Sequence, residues 1–142
     1  MATSNAATTY LENKILDFLF KNNSSSFTTP GNSIYVGLAT AVSDAEAGSL
    51  TEATFGAYAR QQVNAAGWTL ASSSTNQQTV TNAANIEYSA STGTSNTVTH
   101  AFIADAASSG NILFIGALDA SKTIATGDIF RINAGNLTIE LK

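Results

Sequence analysis

The chain has 142 residues, no cysteine and a formal net charge of −4. That length suffices for one self-supporting core, which buries roughly two-thirds of the unfolded surface, and the lack of cysteine excludes disulfides, thiolate metal ligands and cysteine nucleophiles together. Six Lys plus Arg give no patch able to neutralise a phosphate backbone, and no apolar run approaches the ~20 residues of a bilayer span, so neither nucleic acid nor membrane is an expected partner.

Met1 to Thr9 is polar, without the basic start and apolar run of an export signal. Thr9 followed by Glu12 has capping-box spacing, and Leu11, Ile15, Phe18 and Leu19 then recur at helical intervals. The spacing predicts an amphipathic helix over about residues 10–21. Leu16 and Phe20 widen its apolar face, enough to meet a sheet or a neighbouring subunit, and Asn22, Asn23 and Ser24 to Ser26 end it. After Pro30-Gly31-Asn32 the pattern shifts to period two and to short apolar runs between Gly, Asn and Ser turns, which predicts a β domain over about residues 33–142.

Ile34 to Thr40 is apolar on both faces and reads as a central strand. Tyr58 to Val63 alternates weakly, and Trp68 to Ala71 continues beyond Gly67; Val80 to Tyr88 is a further strand region. Thr97 to Ala104 places Val98, His100, Phe102 and Ala104 on one face, and Ala106 to Asn111 turns the chain into Ile112 to Leu118. A last hairpin is expected between Ile129 to Ile132 and Leu137 to Leu141, across Asn133-Ala134-Gly135-Asn136. Two polar stretches, Ser43 to Gly56 and Ser72 to Asn96, interrupt the pattern and read as loops that carry contacts. The sum is a mostly β single domain over residues 1–142, a β-sandwich or jelly-roll of about seven or eight strands with one N-terminal amphipathic helix. Its expected core includes Val36, Leu38, Val98, Phe102, Leu113, Ile115, Ile132 and Ile139.

The sequence proposes little chemistry. A nucleophilic triad needs a base, and the single histidine, His100, alternates with Val98 and Phe102 as a structural imidazole would; neither Thr99 nor Asp105 forms a recognisable dyad with it. Asp44, Glu46 and Glu52 miss the spacing and the glycine of an EF-hand and read as solvated loop charges, while Asp119 and Asp128 flank a polar turn. No glycine cluster has the strand-to-helix context of a phosphate loop. No catalytic residue, cofactor site or metal site is therefore assigned, and an enzyme is not expected. Arg60 is either the ion-pair partner of Glu52 or a fork at an interface. Trp68 is either core or a binding anchor. Leu16, Phe20, Arg60 and Trp68 are thus the candidate interface residues. Only 11% of the residues are charged, against about a quarter usually. Neutral hydroxyl and amide side chains are cheaper to desolvate than Lys or Glu, so such a surface suits durable contact with other proteins.

The run Tyr10-Leu11-Glu12-Asn13-Lys14-Ile15-Leu16-Asp17, then Ile34 to Thr40, Thr51-Glu52, Tyr58-Ala59-Arg60-Gln61, Gly110 to Phe114, Gly127-Asp128 and Gly135 to Ile139, resembles small virion proteins of tailed bacteriophages. These are described as tail-fibre-like or head-decoration proteins. The resemblance implies a β-sandwich-like module present in many copies on a particle, with no catalytic residues to carry over. Two roles follow from it. One is a capsid decoration or cement protein on the outer surface of the head, binding the major capsid protein as a trimer or dimer. The other is a tail or fibre component that contacts host receptor or glycan. A fibre shaft would show repeats or heptads, and this chain has neither, which favours the decoration role at this stage.

Overall fold

The computed structural model describes residues 6–21, 34–72 and 78–141. The expected helix stop at Asn22 to Ser26 and the turn at Pro30 to Asn32 lie outside those residues. The chain is mostly β, a single domain of curled antiparallel sheets with one helix. After the two-residue strand β1 (Ala6–Ala7) comes α1 (Thr9–Phe20), then β2 (Tyr35–Asp44), β3 (Ser49–Glu52), β4 (Gln61–Gln62), β5 (Trp68–Ser72) and β6 (Gln78–Asn82). The remaining strands are β7 (Ile86–Glu87), β8 (Asn96–Ala104), β9 (Ile112–Ile124), β10 (Arg131–Ile132) and β11 (Thr138–Leu141). More strands form than the seven or eight expected, because four of them are only two residues long.

The helix is capped one residue earlier than the sequence spacing suggests. Thr8, not Thr9, is the N-cap: its Oγ1 accepts from the Leu11 amide at 3.4 Å while its hydroxyl donates to the Ile112 carbonyl at 2.6 Å. The neighbouring backbone decides this. β1 pairs with β9 through Ala6↔Ile115 and Ala7↔Phe114, and the Thr8 amide continues that ladder to the Leu113 carbonyl, so the chain is extended up to Thr8 and free to coil only after it.

The main sheet runs β1-β9-β8-β2-β3, with β4 beside the start of β2. Its centre is the β2–β8 pair, registered Tyr35↔Ala104 through Ala39↔His100. Gly37 sits opposite Phe102, and a Cβ there would come within 2.2 Å of the phenyl ring, so glycine is what lets Phe102 lie across the strand. β2 carries two bulges against β3, between Ala39 and Ala41 and between Val42 and Asp44. Bulges sharpen twist and bend a strand; here they go with a curl of the β2–β3 hairpin over one face of the sheet. Ala45, Val42 and Leu50 accordingly pack with Phe102, Ala104, Ile115 and Ile112. The stretch expected as a loop from Ser43 to Gly56 is thus a hairpin followed by two core residues, Ala53 and Phe55.

The opposite face of the main sheet meets a second layer, made of the sheet β11-β6-β5 and the pair β10-β7. Between the layers lie Val36, Leu38, Val98, Ala101, Ile103, Phe55, Ile86, Tyr88 and Ile132. Alternation alone placed Val98 with Phe102 and Ala104, but a register shift between Val98 and His100 switches the phase, so Val98 shares its face with Ala101 and Ile103 instead. Leu113 and Ile139 are only partly buried, whereas the other expected core residues are buried. Asp119 also changes its role: β9 continues to Ile124, so it lies within a strand, and only Asp128 serves the turn, accepting from the Ala125 amide at 2.9 Å.

The expected C-terminal hairpin does not form. β10 pairs with β7 and β11 with β6, which sends the last two strands into different sheets. Asn82 is the reason. Its side chain is 1% exposed, donates to the carbonyls of Ala84 and Asn133, and accepts from the Leu137 amide, while its own carbonyl takes the Gly135 amide. A turn does close there, the Asn136 amide donating to the Asn133 carbonyl at 3.0 Å, but Asn82 takes the Gly135 and Leu137 amides and so leads β11 onto β6 instead of back along β10.

Candidate functional site

Two features stand out once the fold is in place, a polar lock on one face of the main sheet and an open apolar stripe on α1. The lock is built around Arg60, in the segment leading to β4. Its Nε donates to Glu52 Oε1 and its Nη2 to Glu52 Oε2, both at 2.8 Å, a two-pronged pair with side-chain exposures of 5% and 30%. Nη1 reaches the other way, to the carbonyls of Ala106 at 2.9 Å and Ser109 at 2.8 Å. The guanidinium lies over the Phe102 ring, 5.0 Å from its centroid. Of the two readings left open by the sequence, the ion pair with Glu52 is the one the structure contains, and the guanidinium is almost wholly enclosed.

Glu52 is held from a third direction. The Tyr58 hydroxyl donates to Oε1 at 2.8 Å and itself accepts from the Leu38 amide at 2.9 Å. Burial works against the ionised carboxylate, but the Arg60 and Tyr58 hydrogen bonds and the Arg60 charge outweigh it and hold Glu52 below its ordinary value. Burial pushes the Tyr58 hydroxyl well above its own, so it stays a donor. Tyr58 stacks on Tyr88 with ring centroids 5.9 Å apart, and the Tyr88 hydroxyl donates to the Val36 carbonyl. The lock therefore ties the 53–60 segment, β2 and the β8–β9 loop to the larger core.

The β8–β9 loop, residues 105–111, is closed a second time at its base. Asp105 Oδ1 accepts from the Asn111 amide at 2.7 Å and Oδ2 from the Asn111 side chain at 2.8 Å. Ser109 and Gly110 both take positive φ, 52° and 69°. The residues from Ala107 to Asn111 are exposed. The sequence located this turn but gave no sign of its clamp, because the acceptors on Ala106 and Ser109 are backbone carbonyls.

α1 docks through Leu11, which is buried, and its N-terminus is fixed on the hairpin tip by the bond from the Thr9 amide to the Glu46 carbonyl. On another face Leu16, Leu19 and Phe20 form an i, i+3, i+4 stripe that is 53%, 62% and 77% exposed. Leu16 and Phe20 are thus brought together, apart from Arg60. Trp68 belongs to the core boundary: its indole nitrogen donates to the Val63 carbonyl at 3.3 Å and the ring packs, partly buried, on the larger cluster.

His100 lies on the main sheet between Ala39 and Ala117. Its Nδ1 is 2.7 Å from Thr99 Oγ1, which also sits 3.1 Å from the Thr40 carbonyl, and its Nε2 is buried without a hydrogen-bond partner. Burial lowers its proton affinity. Thr99 is thus engaged with His100, a pairing the sequence had not suggested. A shallow groove of about 480 Å³ runs beside Lys122, Asp128, Phe130 and Arg131; Arg131 there is paired with Glu87. Among the described residues no cluster of His, Asp or Glu is arranged to hold a metal ion, and no helix is long and apolar enough to cross a membrane.

A family model described as "Podophage GP4 fiber I protein gp80" matches residues 6–140. The chain belongs to that family. The matched span takes in α1, both layers and the Arg60 lock. Membership makes the chain a phage virion protein of the fibre or structural class. No curated protein matches the chain.

Proposed function

We propose that the chain is a non-enzymatic building block of the fibre apparatus, joined to neighbouring virion subunits or to further copies of itself through the outward stripe of α1. The observation that carries this reading is the exposure of Leu16, Leu19 and Phe20 on a helix already anchored to the body by Leu11. A contiguous apolar stripe is costly to leave in water and is a common mark of a protein contact. The family name supports the fibre as its place.

A second reading, decoration of the head through contacts with the major capsid protein, is favoured by one observation. The only α-helix among the described residues has 12 residues, too short for a coiled-coil shaft. Mass spectrometry of separated heads and tails distinguishes the two. Recovery in tails is expected; recovery in heads alone replaces the fibre assignment with decoration. Leu16→Asp combined with Phe20→Asp should leave a folded chain that is lost from particles, and normal incorporation of that variant would reject the helix as the joint. The same preparations test the absence of catalysis, since His100→Ala should change no hydrolytic turnover.

A further inference from the structure

The geometry points to a second copy of this chain as the occupant of the α1 stripe, the two helices lying antiparallel about a two-fold axis. The inference rests on the assembly reading above and adds a partner and a register to it. At about 100° of turn per residue, Leu16, Leu19 and Phe20 cover roughly 100° of the helix circumference, on the side away from the buried Leu11. The charges of α1 decide which helix fits them. Asp17 and the C-cap Lys21 lie together on one flank of the stripe, next to Phe20. They stand one helical turn apart, yet the ion pairs among the described residues are Arg60 with Glu52 and Arg131 with Glu87. Lys14, the other cation of the helix, is engaged elsewhere, 5.5 Å from the centroid of the Tyr10 ring.

An antiparallel two-fold pair turns each flank onto its own copy, so a flank holding one anion and one cation meets the same two charges in reverse order. Setting Leu16 opposite Phe20 of the second copy interleaves the stripes. It also brings Lys21 to about 3 Å along the axis from Asp17 of the second copy, and the reciprocal pair forms by symmetry. A parallel pair in register would instead set Asp17 on Asp17 and Lys21 on Lys21, like against like. The helix is thus self-complementary in one orientation, in both its apolar and its charged side chains. Three side chains bury less than the ~800 Å² a side of a stable dimer, so the free chain should pair weakly, in the upper micromolar range.

Sedimentation velocity of the full chain from ~10 µM to ~1 mM should show monomer passing to dimer, and a chain still monomeric at ~1 mM overturns the proposal. Asp17→Lys and Lys21→Asp should each weaken dimerisation at least about tenfold, because each sets like charges across the contact. The two together should return it to within about threefold of the parent, since they exchange the signs and keep the pairs. A double variant no better than either single one overturns the antiparallel register. Circular dichroism matching the parent in all three keeps a lost helix from imitating a lost contact. Leu16→Asp combined with Phe20→Asp separates this inference from the reading beneath it. Loss of that variant from particles, with a parent chain that never dimerises, gives the stripe to a different virion protein and overturns the second copy alone. Normal incorporation of the variant overturns the helix as a joint of any kind.

Discussion

Phe102 and Phe20 show how differently two regions of this chain treat the same side chain. Phe102 is 1% exposed, laid across Gly37 and roofed by the Arg60 guanidinium, whereas Phe20 is 77% exposed at the end of α1. In the body the large apolar groups are packed and the buried polar ones bonded as the low local dielectric requires, the His100 Nε2 excepted. On the outward stripe of α1 apolar groups face water. A structure that spends a buried ion pair on order in one place and leaves a phenyl ring open in another separates folding from assembly: the body carries stability, and the stripe is free to carry contact.

That contrast can be broken experimentally. Phe102→Ala should cost ~3 to 5 kcal/mol, since it removes a buried ring whose space β2 and β8 cannot refill. An unchanged denaturant midpoint would show that the ring does not support the sheet. Arg60→Ala should cost ~1.5 to 3 kcal/mol, less than a fully buried pair because Glu52 keeps 30% exposure and can recruit water. Its chemical denaturation should also reveal a loosened 105–111 loop by faster amide exchange; protection equal to the parent would mean that the Asp105–Asn111 clasp holds the loop alone.

Acid acts on the body in two separable windows. His100 is held below its ordinary value of 6.5 by burial, so the unfolded chain takes up its proton first. Its contribution is fully present above pH 6.5 and is lost as pH falls from there toward the lower folded value. Glu52 is likewise held below its ordinary 4.5, so its contribution is present above that pH and lost as pH falls through its folded value. Midpoints measured from pH 7.5 to 3 should decline in both windows. His100→Gln should flatten the upper window only; an unaltered slope there would show that the enclosed Nε2 is indifferent to protonation.

The smallest expected effect is on the stripe itself. Leu16→Ser and Phe20→Ser should each move the stability of the isolated chain by no more than ~0.5 kcal/mol, as is usual for exposed positions. A loss several times larger would place these side chains against the body and dissolve the contrast with Phe102.

Much of the body was legible because burial imposes a period. The runs at Ile34 to Thr40, Thr97 to Ala104 and Ile112 to Leu118 became β2, β8 and the first half of β9, since apolar strands in water have few alternatives to a sheet. Phe55 and Tyr88 escaped because Ala53-Thr54-Phe55 and Ile86-Glu87-Tyr88 are alternations too short to set a period, and only the closing of two layers brings Tyr88 against Tyr58. The site was legible in part. Arg60 and Glu52 were named as possible partners eight residues apart, but the carbonyls of Ala106 and Ser109 carry no sequence signal.

By itself the sequence determined a mostly β domain behind one amphipathic helix, with few charged side chains. Those properties depend on local periodicity and composition, which each segment carries alone. Only the tertiary structure decided which apolar residues of α1 are covered and which are left outward, which face Val98 shares, and that β10 and β11 part company. These depend on bulges, register and the reach of Asn82 and Arg60 across the chain, and a residue has no such neighbours until the sheets have closed.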